Sequence, residues 1–314
     1  MYIKPKKNTE LAVQESTQLL AFLMSRYAGS RTGAKSLLAH RQVSVNGTVQ
    51  TRHDVELHAG DKVNVLSGKG NIELRHPKLR LVYEDEHLIV VEKKQGLLTV
   101  ATHPGSSEMT VFSILKAYVR KQNPRNGIYV VHRLDRETSG LLVFAKTPEL
   151  QEYMRTYWRQ LVTNRAYIAI AEGAFEQPEG QIKSWFTEDK RNAIVYSSPV
   201  DDGGDLAITN YKVLRTSNPS FHHSINPSFQ QVSLVELHLE TGRTNQIRVH
   251  LASKGHPIVG DRKYGHGNEN SPLDRLCLHA QTLEFIHPVT EQTVRFSTPM
   301  PKEFKKIFSP SAPQ

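Results

Sequence analysis

Two charged segments that follow hydrophobic runs carry the side chains best suited to chemistry. The first segment, VHRLDRETSG, places Asp135 between the hydrophobic residues 128–131 and 141–144. Both flanking runs are typical of buried strands. A carboxylate on such a loop can cap a turn, pair with an arginine for structure, or act as a nucleophile or proton acceptor. Taken alone, Asp135 leaves these three uses open.

The second charged segment also follows a strand-like run, residues 232–239, and reads LETGRTNQIRVHL. It continues through a helical stretch into GHPIVGDRKYG, at residues 255–265. A second polar loop on a second strand favours a shared functional site over a purely structural aspartate. Asp261 and Tyr264 are interpreted as structural residues beside that site.

Histidines in the chain do not predict a metal site. His222 and His223 are adjacent, but no carboxylate or cysteine stands at ligand spacing, so a solvated loop over 215–230 is preferred. His132 is interpreted as a residue that shapes its turn. A metal-dependent hydrolase built on His132 and Asp135 lacks a plausible ligand set.

The N-terminal region combines two short helices, a hairpin and a basic surface. Residues 17–23 have helical spacing behind a Ser/Thr cap, and Ser30 is placed to cap a second helix over 31–40. Residues 43–49 alternate and turn at an Asn-Gly pair, which predicts a hairpin. Residues 61–65 are predicted to form the closing strand.

Net charge separates this region from the rest of the chain. Of the formal charge of +9, residues 1–80 contribute 13 Lys and Arg against 6 Asp and Glu, whereas residues 81–314 contribute 27 against 25. A concentrated basic surface attracts polyanions such as a phosphate backbone, although cationic surfaces also aid solubility. The 314-residue chain has no apolar run of membrane-spanning length, no secretory signal in MYIKPKKNTE, and a single cysteine, Cys277. We expect a cytoplasmic protein without disulfides.

The remaining segments mix strands and helices without a repeating βαβ period. Residues 88–91 and 167–171 are predicted strands, and helices are expected over 110–122 and 150–161. Tyr153, Met154 and Trp158 are expected to pack the second of these helices against the core. The fold class predicted is α+β, with a large mixed β-sheet and a small N-terminal αα-β domain.

The separated motifs HRLDxxTSG, TGRxxQIR and GHPIxGDxxYG, in this order, resemble the RluA-type family of RNA pseudouridine synthases. Residues 15–66 resemble an S4 RNA-binding domain, in which the second helix and the adjoining hairpin bind structured RNA. The resemblance implies the pseudouridine synthase fold, a mixed sheet with a cleft along one face. It also implies conversion of uridine in RNA to pseudouridine, with no cofactor and no metal.

Catalytic roles transfer by motif onto three residues. The resemblance implies that Asp135 is the catalytic carboxylate, that Arg248 is its arginine partner, and that Tyr167 lies against the target base. The chain departs from the family pattern at Arg165, where a lysine is usual, and at Asn245, where a histidine is usual. It also has Lys94 in place of a proline after Lys93.

The resemblance also implies contacts between basic side chains and RNA. Arg133 is placed either to fill the gap left by a flipped base or to bind a phosphate, with a structural salt bridge as the alternative. The predicted RNA-binding residues are Arg133, Arg31, Lys35, Arg41, Arg165 and Arg243.

The predicted organisation is a tail at 1–14, an S4-like domain at 15–66, a linker at 67–80, a catalytic domain at 81–306 and a tail at 307–314. The S4-like segment favours large-subunit ribosomal RNA as the target, because family members without it include tRNA enzymes. The alternatives are a tRNA pseudouridine synthase and a non-catalytic RNA-binding protein of ribosome assembly. The expected partners are RNA and assembling ribosomal particles, with no membrane, and the expected state is a monomer.

Overall fold

A computed structural model describes residues 9–39, 42–66, 73–103, 105–189, 191–217, 231–266, 273 and 275–308. The described chain divides into two compact units. One contains the residues up to Arg75 together with Lys116–Asn126, and the other contains His76–Leu115 and the residues from Gly127 onward. Among the described residues, none of the helices has the length and hydrophobicity needed to cross a lipid bilayer.

Short strands and two helices make up the chain as far as residue 66. Strands β1, β6, β3 and β4 pair in that order, and β2 pairs with β5. Hydrophobic side chains from both helices and from β3 and β6 form the core of this unit. The elements are β1 (Thr9–Ala12), β2 (Thr17–Gln18), α1 (Leu19–Leu23), α2 (Arg31–Ala39), β3 (Val43–Val45), β4 (Thr48–Val49), β5 (Glu56–Leu57) and β6 (Lys62–Val65).

Local signals in this unit are confirmed where they depend on one turn. The hydroxyl of Ser30 accepts a hydrogen bond from the backbone N–H of Gly33 at 3.1 Å, which caps α2 as predicted. Asn46 and Gly47 both have positive φ, 51° and 81°, as a two-residue hairpin turn requires.

Three predicted boundaries differ from the structure. The first helix begins at Leu19 and not at residue 17, because Thr17–Gln18 pairs with Glu56–Leu57 as a strand; it continues as a π-helical segment, Met24–Ala28. The predicted tail at 1–14 includes Thr9–Ala12, which pairs antiparallel with β6. At the other end, Ile307 and Phe308 of the predicted C-terminal tail are buried.

From Leu79 onward the chain contains the strands of a large mixed sheet, with helices between some of them in sequence. The elements are β7 (Leu79–Glu84), β8 (Leu88–Lys93), α3 (Val111–Gln122), β9 (Tyr129–Val130), β10 (Ser139–Ala145), α4 (Pro148–Thr156), α5 (Trp158–Leu161), β11 (Val162–Glu172), β12 (Glu179–Asp189), β13 (Ile194–Ser198), β14 (Asp205–Ser217), β15 (Val232–Leu239), α6 (Gln246–Ser253), β16 (Leu278–Ile286), β17 (Thr293–Ser297) and α7 (Lys302–Ile307).

The sheet order is β13-β12-β14-β15-β11-β16-β10-β8-β7, with β9 on β10 and β17 on β16. Strand β16 has different partners at its two ends on this side, because its start pairs parallel with β10 and its end pairs antiparallel with β17. The parallel pair brings Gly140 so close to β16 that a Cβ there would lie 2.2 Å from the carbonyl oxygen of Ala280. Gly140, with φ 122°, therefore permits this close strand contact inside β10.

The helix predicted over 150–161 is interrupted. Thr147 caps the start of α4 by accepting a hydrogen bond from the N–H of Leu150. Tyr157, with a φ of −102°, lies between the end of α4 and the start of a separate short helix, α5. Met154 is fully buried as expected, but Tyr153 is 43% exposed and does not pack in the core.

Candidate active site

Asp135 lies on the loop between β9 and β10 and lines a cleft of about 900 Å³. Its side chain is 31% exposed, so a ligand in the cleft can reach the carboxylate. Both charged segments of the sequence line this cleft, together with side chains from α4, α5 and β11. A volume of this size falls within the range of ligand-binding clefts.

Hydrogen bonds to the backbone hold the Asp135 loop on both sides of the aspartate. The hydroxyl of Thr99 donates to the carbonyl of Leu134 at 2.7 Å and accepts its N–H at 3.1 Å. On the other side, the ammonium of Lys93 donates to the carbonyl of Arg136 at 3.0 Å. A loop fixed at both neighbours presents its carboxylate in a set position, as a catalytic group requires.

Lys93 is fully buried beneath this loop. Burial lowers the pKa of its ammonium group to about 7, and the nearby negative charges of Glu137 and Asp135 offset part of that effect. The Lys-Lys pair at this position therefore supplies one lysine as a buried support of the loop.

Arg248, in the first turns of α6, approaches Asp135 but is held chiefly by another carboxylate. Its Nη1 lies 3.7 Å from Oδ2 of Asp135. Its Nε and Nη2 donate to the two carboxylate oxygens of Asp261 at 2.8 Å each, and Nη1 donates to Asn245 at 2.8 Å. The geometry is a bidentate pair with Asp261 and a longer ionic contact with Asp135.

Asp261 was interpreted from sequence only as a structural residue near the cleft, yet it orients Arg248. Its side chain is completely buried. Burial alone would raise the pKa of this carboxyl, but the Arg248 guanidinium and the N–H groups of Lys263 and Tyr264 hold it below its usual value. The Tyr264 ring lies 5.2 Å from the Arg248 guanidinium, and its hydroxyl accepts a hydrogen bond from Asn245 at 3.2 Å.

Tyr167 is a buried residue of β11 that also lines the cleft. Burial raises the pKa of its hydroxyl, and the Arg165 guanidinium opposes that effect. The phenol is therefore neutral at physiological pH and offers an aromatic surface in the same cleft as Asp135 and Arg248. The structure thus brings together the three residues that the motifs predicted.

Arg165 is held in place by contacts within the protein. Its Nη2 donates to the carbonyl of Thr241 at 3.0 Å, and its guanidinium lies 5.9 Å from the ring of Trp158. Trp158 in turn contacts the His132 ring at a centroid distance of 4.8 Å. His132 accepts the N–H of Val143 at 3.1 Å, and burial lowers its pKa to about 3, in keeping with a residue that shapes the loop.

The other predicted RNA-binding residues differ in position. Arg133 is exposed and lines the cleft, without a hydrogen-bond or ion-pair partner among the described residues. Arg243 also lines the cleft but pairs with Asp205 at 3.0 Å. Arg31 and Lys35 are exposed on α2, in the other unit, and Arg41 lies outside the described residues.

The remaining candidates are the single cysteine and possible metal ligands. Cys277 is fully buried, and burial raises the pKa of its thiol to about 12, so it behaves as a small buried hydrophobe. In the described ranges, His, Cys, Asp and Glu side chains do not form a group of three or more that could hold a metal ion.

Comparison with known proteins gives one class. A family model described as RNA pseudouridylate synthase matches residues 87–253, which include the three cleft residues. The RNA pseudouridine synthase YhcT of Bacillus subtilis is 32% identical over 94% of this chain and 93% of its own length. The Ribosomal large subunit pseudouridine synthase D of Nitrosomonas europaea is 32% identical over 92% of this chain and 82% of its own length. The solved structure of Human RNA Pseudouridylate Synthase Domain Containing 1 is similar over 70% of this chain and 83% of that one, with 25% identity and a TM-score of 0.55.

A cleft with an aspartate, an arginine and a buried tyrosine on a mixed sheet is the arrangement that the motifs implied. The chain belongs to the RluA-type family of RNA pseudouridine synthases. It is therefore an isomerase whose substrate is RNA, and the predicted fold class and enzyme class are confirmed.

Proposed function

We propose that this protein converts specific uridines in structured RNA, and chiefly in large-subunit ribosomal RNA, to pseudouridine, with Asp135 as the catalytic carboxylate. The observation that supports this best is the position of Asp135. Its carboxylate is partly exposed to a cleft, held through its neighbours' backbone, and 3.7 Å from a guanidinium that a buried aspartate orients.

The reaction breaks the bond between N1 of uracil and C1′ of ribose, turns the base, and joins C5 to C1′. The C5 proton leaves, and N1 gains a proton. Asp135 acts beside the sugar, either as the nucleophile at C1′ or as a proton acceptor. Both roles require the ionised carboxylate, and the Arg248 guanidinium lies 3.7 Å from it. Water must be kept away from the detached base during this step.

Tyr167 supplies the surface against which the base turns. A uridine inside a helix cannot reach Asp135, so the nucleotide must be flipped out of its stack. Stacking against an aromatic side chain returns roughly 1–3 kcal/mol per base. Tyr167 is suited to this because its ring lines the cleft while burial keeps its hydroxyl neutral.

Two observations support ribosomal RNA as the target. Relatives from Nitrosomonas europaea and Vibrio cholerae, both 32% identical to this chain, are named Ribosomal large subunit pseudouridine synthase D. The chain also carries its excess positive charge in residues 1–80, where Arg31 and Lys35 are exposed on one helix. We take this segment as an S4-like docking domain for structured RNA, free or in an assembling ribosomal particle, followed by a linker and a catalytic domain that starts near residue 81.

Pseudouridine mapping on ribosomal RNA and bulk tRNA, after incubation with the protein or with Asp135→Asn, tests the proposal. New pseudouridine at a few large-subunit positions, absent with the variant, is expected, while the variant binds RNA as tightly as the parent. New sites only in tRNA would refute the ribosomal target. Tight binding of RNA without any new site, on free RNA and on assembling particles, would favour a non-catalytic binding protein.

A further inference from the structure

A smaller hollow of about 290 Å³ adjoins the Asp135 cleft. The two cavities share three lining residues, Trp158, Arg165 and Leu239. These three side chains therefore form the boundary between the cleft and the hollow. The volume lies at the lower end of the range for ligand sites, which fits one nucleotide and not several.

Two exposed arginines lie beside the boundary between these two cavities. Arg155 on α4 lines the cleft, and Arg159 on α5 lines the hollow. Neither has a hydrogen-bond or ion-pair partner in the described part of the chain. By contrast, Arg136 pairs with Glu108, and Arg243 pairs with Asp205. Cations that the protein does not neutralise, at the edge of a cleft for RNA, are available to phosphates.

The hollow also offers polar groups and an aromatic ring. The side-chain amide of Asn164 is bonded at one end to Nδ1 of His238, at 3.1 Å, which leaves its other end for a ligand. Glu240 uses Oε1 for Asn210 at 2.8 Å and retains its second oxygen as an acceptor. Trp158 adds an aromatic ring to the same wall. Stacking surfaces with hydrogen-bonding groups are how proteins bind unpaired nucleotides.

We propose that this hollow binds the nucleotide next to the target uridine, with Arg155 and Arg159 on its phosphates and with Trp158 and Asn164 on its ribose or base. The inference rests on the proposed function, because it assumes that the uridine occupies the Asp135 cleft. It adds a subsite that selects RNA in which both the uridine and one neighbour are unpaired. Recognition of the target then depends on two adjacent flipped or looped nucleotides.

Substitution of the two arginines by glutamine tests the subsite, because both side chains are exposed and fold stability is little affected. The substrate is a short RNA that contains a uridine which the parent protein modifies. With this RNA, Arg155→Gln and Arg159→Gln should each raise KM about three- to tenfold, with kcat within about twofold of the parent. The slope of log Kd against log salt concentration should fall by about 0.7 for each arginine that binds a phosphate of unpaired RNA. Lys212→Gln, an exposed residue of β14 that lines neither cavity, is the matched control and should change neither quantity.

A chemical change in the RNA identifies the contact. Methylphosphonate linkages, which carry no charge, are placed one at a time around the target uridine. One position should weaken binding by the parent and should have no further effect in Arg159→Gln. Equal binding and equal KM for the parent and both arginine variants, or full additivity at every linkage, would overturn the subsite. The binding measurements test the subsite even if the parent makes no pseudouridine. Absence of pseudouridine with the parent would refute the proposed function alone.

Discussion

Replacement of Asp261 by asparagine should weaken the support of Arg248. It therefore tests how much that support contributes to stability and to catalysis. Asp261 is completely buried, and the Arg248 side chain is 12% exposed. Asparagine keeps the shape of the side chain and one acceptor oxygen, but it removes the negative charge and one of two hydrogen bonds of 2.8 Å. The matched control is Asp205→Asn, which breaks the exposed pair with Arg243 on the rim of the same cleft.

The expected magnitudes differ because the two pairs differ in burial. Removal of one partner from a buried ion pair costs about 3–5 kcal/mol, and an exposed pair contributes less than about 1 kcal/mol. We expect Asp261→Asn to lower the free energy of unfolding by about 3 kcal/mol, at the low end because asparagine retains one acceptor. Arg248, freed from Asp261, should move toward Asp135, now 3.7 Å away. A shift of this kind near the reacting atoms should lower kcat about 100-fold.

Urea unfolding and single-turnover pseudouridine formation measure the two effects. The pKa of Asp261 is lowered in the folded protein, so its contribution to stability is present above its unfolded pKa, near 3.9, and is lost as the pH falls through the folded value. The difference between parent and variant should therefore be full at pH 7 and shrink below about pH 4. Equal stability losses for Asp261→Asn and Asp205→Asn, or an unchanged kcat in Asp261→Asn, would refute the reasoning.

Three further substitutions test other supports of the fold. The folded pKa of Lys93 is about 7 against an ordinary 10.5, so the free energy of unfolding should rise with pH between these values in the parent and stay flat in Lys93→Met, as urea unfolding at several pH values would reveal. Gly140→Ala places a Cβ 2.2 Å from the Ala280 carbonyl at a positive φ and should cost about 3 kcal/mol in thermal unfolding; a stable variant would contradict that contact. Ser30→Ala removes the cap of α2 and should cost about 1 kcal/mol, seen as faster hydrogen exchange in that helix, whereas unchanged exchange would count against the cap.

Features of the fold that depend on neighbours in sequence were predictable. The Asn46-Gly47 turn and the Ser30 cap each require only a few consecutive residues. Strand β12 was missed for a physical reason. Its buried face is formed by Ile182, Ser184 and Phe186, and the serine in the middle, which bonds His250 at 3.0 Å, interrupts the hydrophobic alternation that identifies a strand.

The candidate site was likewise predictable only in part from the sequence. Motifs predicted that Asp135, Tyr167 and Arg248 share a cleft, but they did not reveal which carboxylate binds Arg248 most closely. Asp135 is far from Arg248 in the sequence, whereas Asp261 is near it. Only the folded arrangement shows that Asp261 accepts two short hydrogen bonds from Arg248 and that Asp135 lies farther away. Tyr153 was predicted as a packing residue, but its side chain is 43% exposed and its ring lies 4.9 Å from the ring of Tyr157, which is also exposed.

The spacing of the QIRVH segment explains how one short helix aims its arginine. Gln246 and His250 stand four residues apart and share a face of α6. On that face both bond the Thr209 hydroxyl, at 2.9 and 2.8 Å, so α6 is fixed to the sheet by polar contacts. Burial lowers the pKa of His250 to about 4, which keeps the ring uncharged near neutral pH and permits its burial. Arg248, two residues from each, must then project from the opposite side, toward Asp135. The buried amide and imidazole therefore fix the direction of the guanidinium as surely as Asp261 fixes its final orientation.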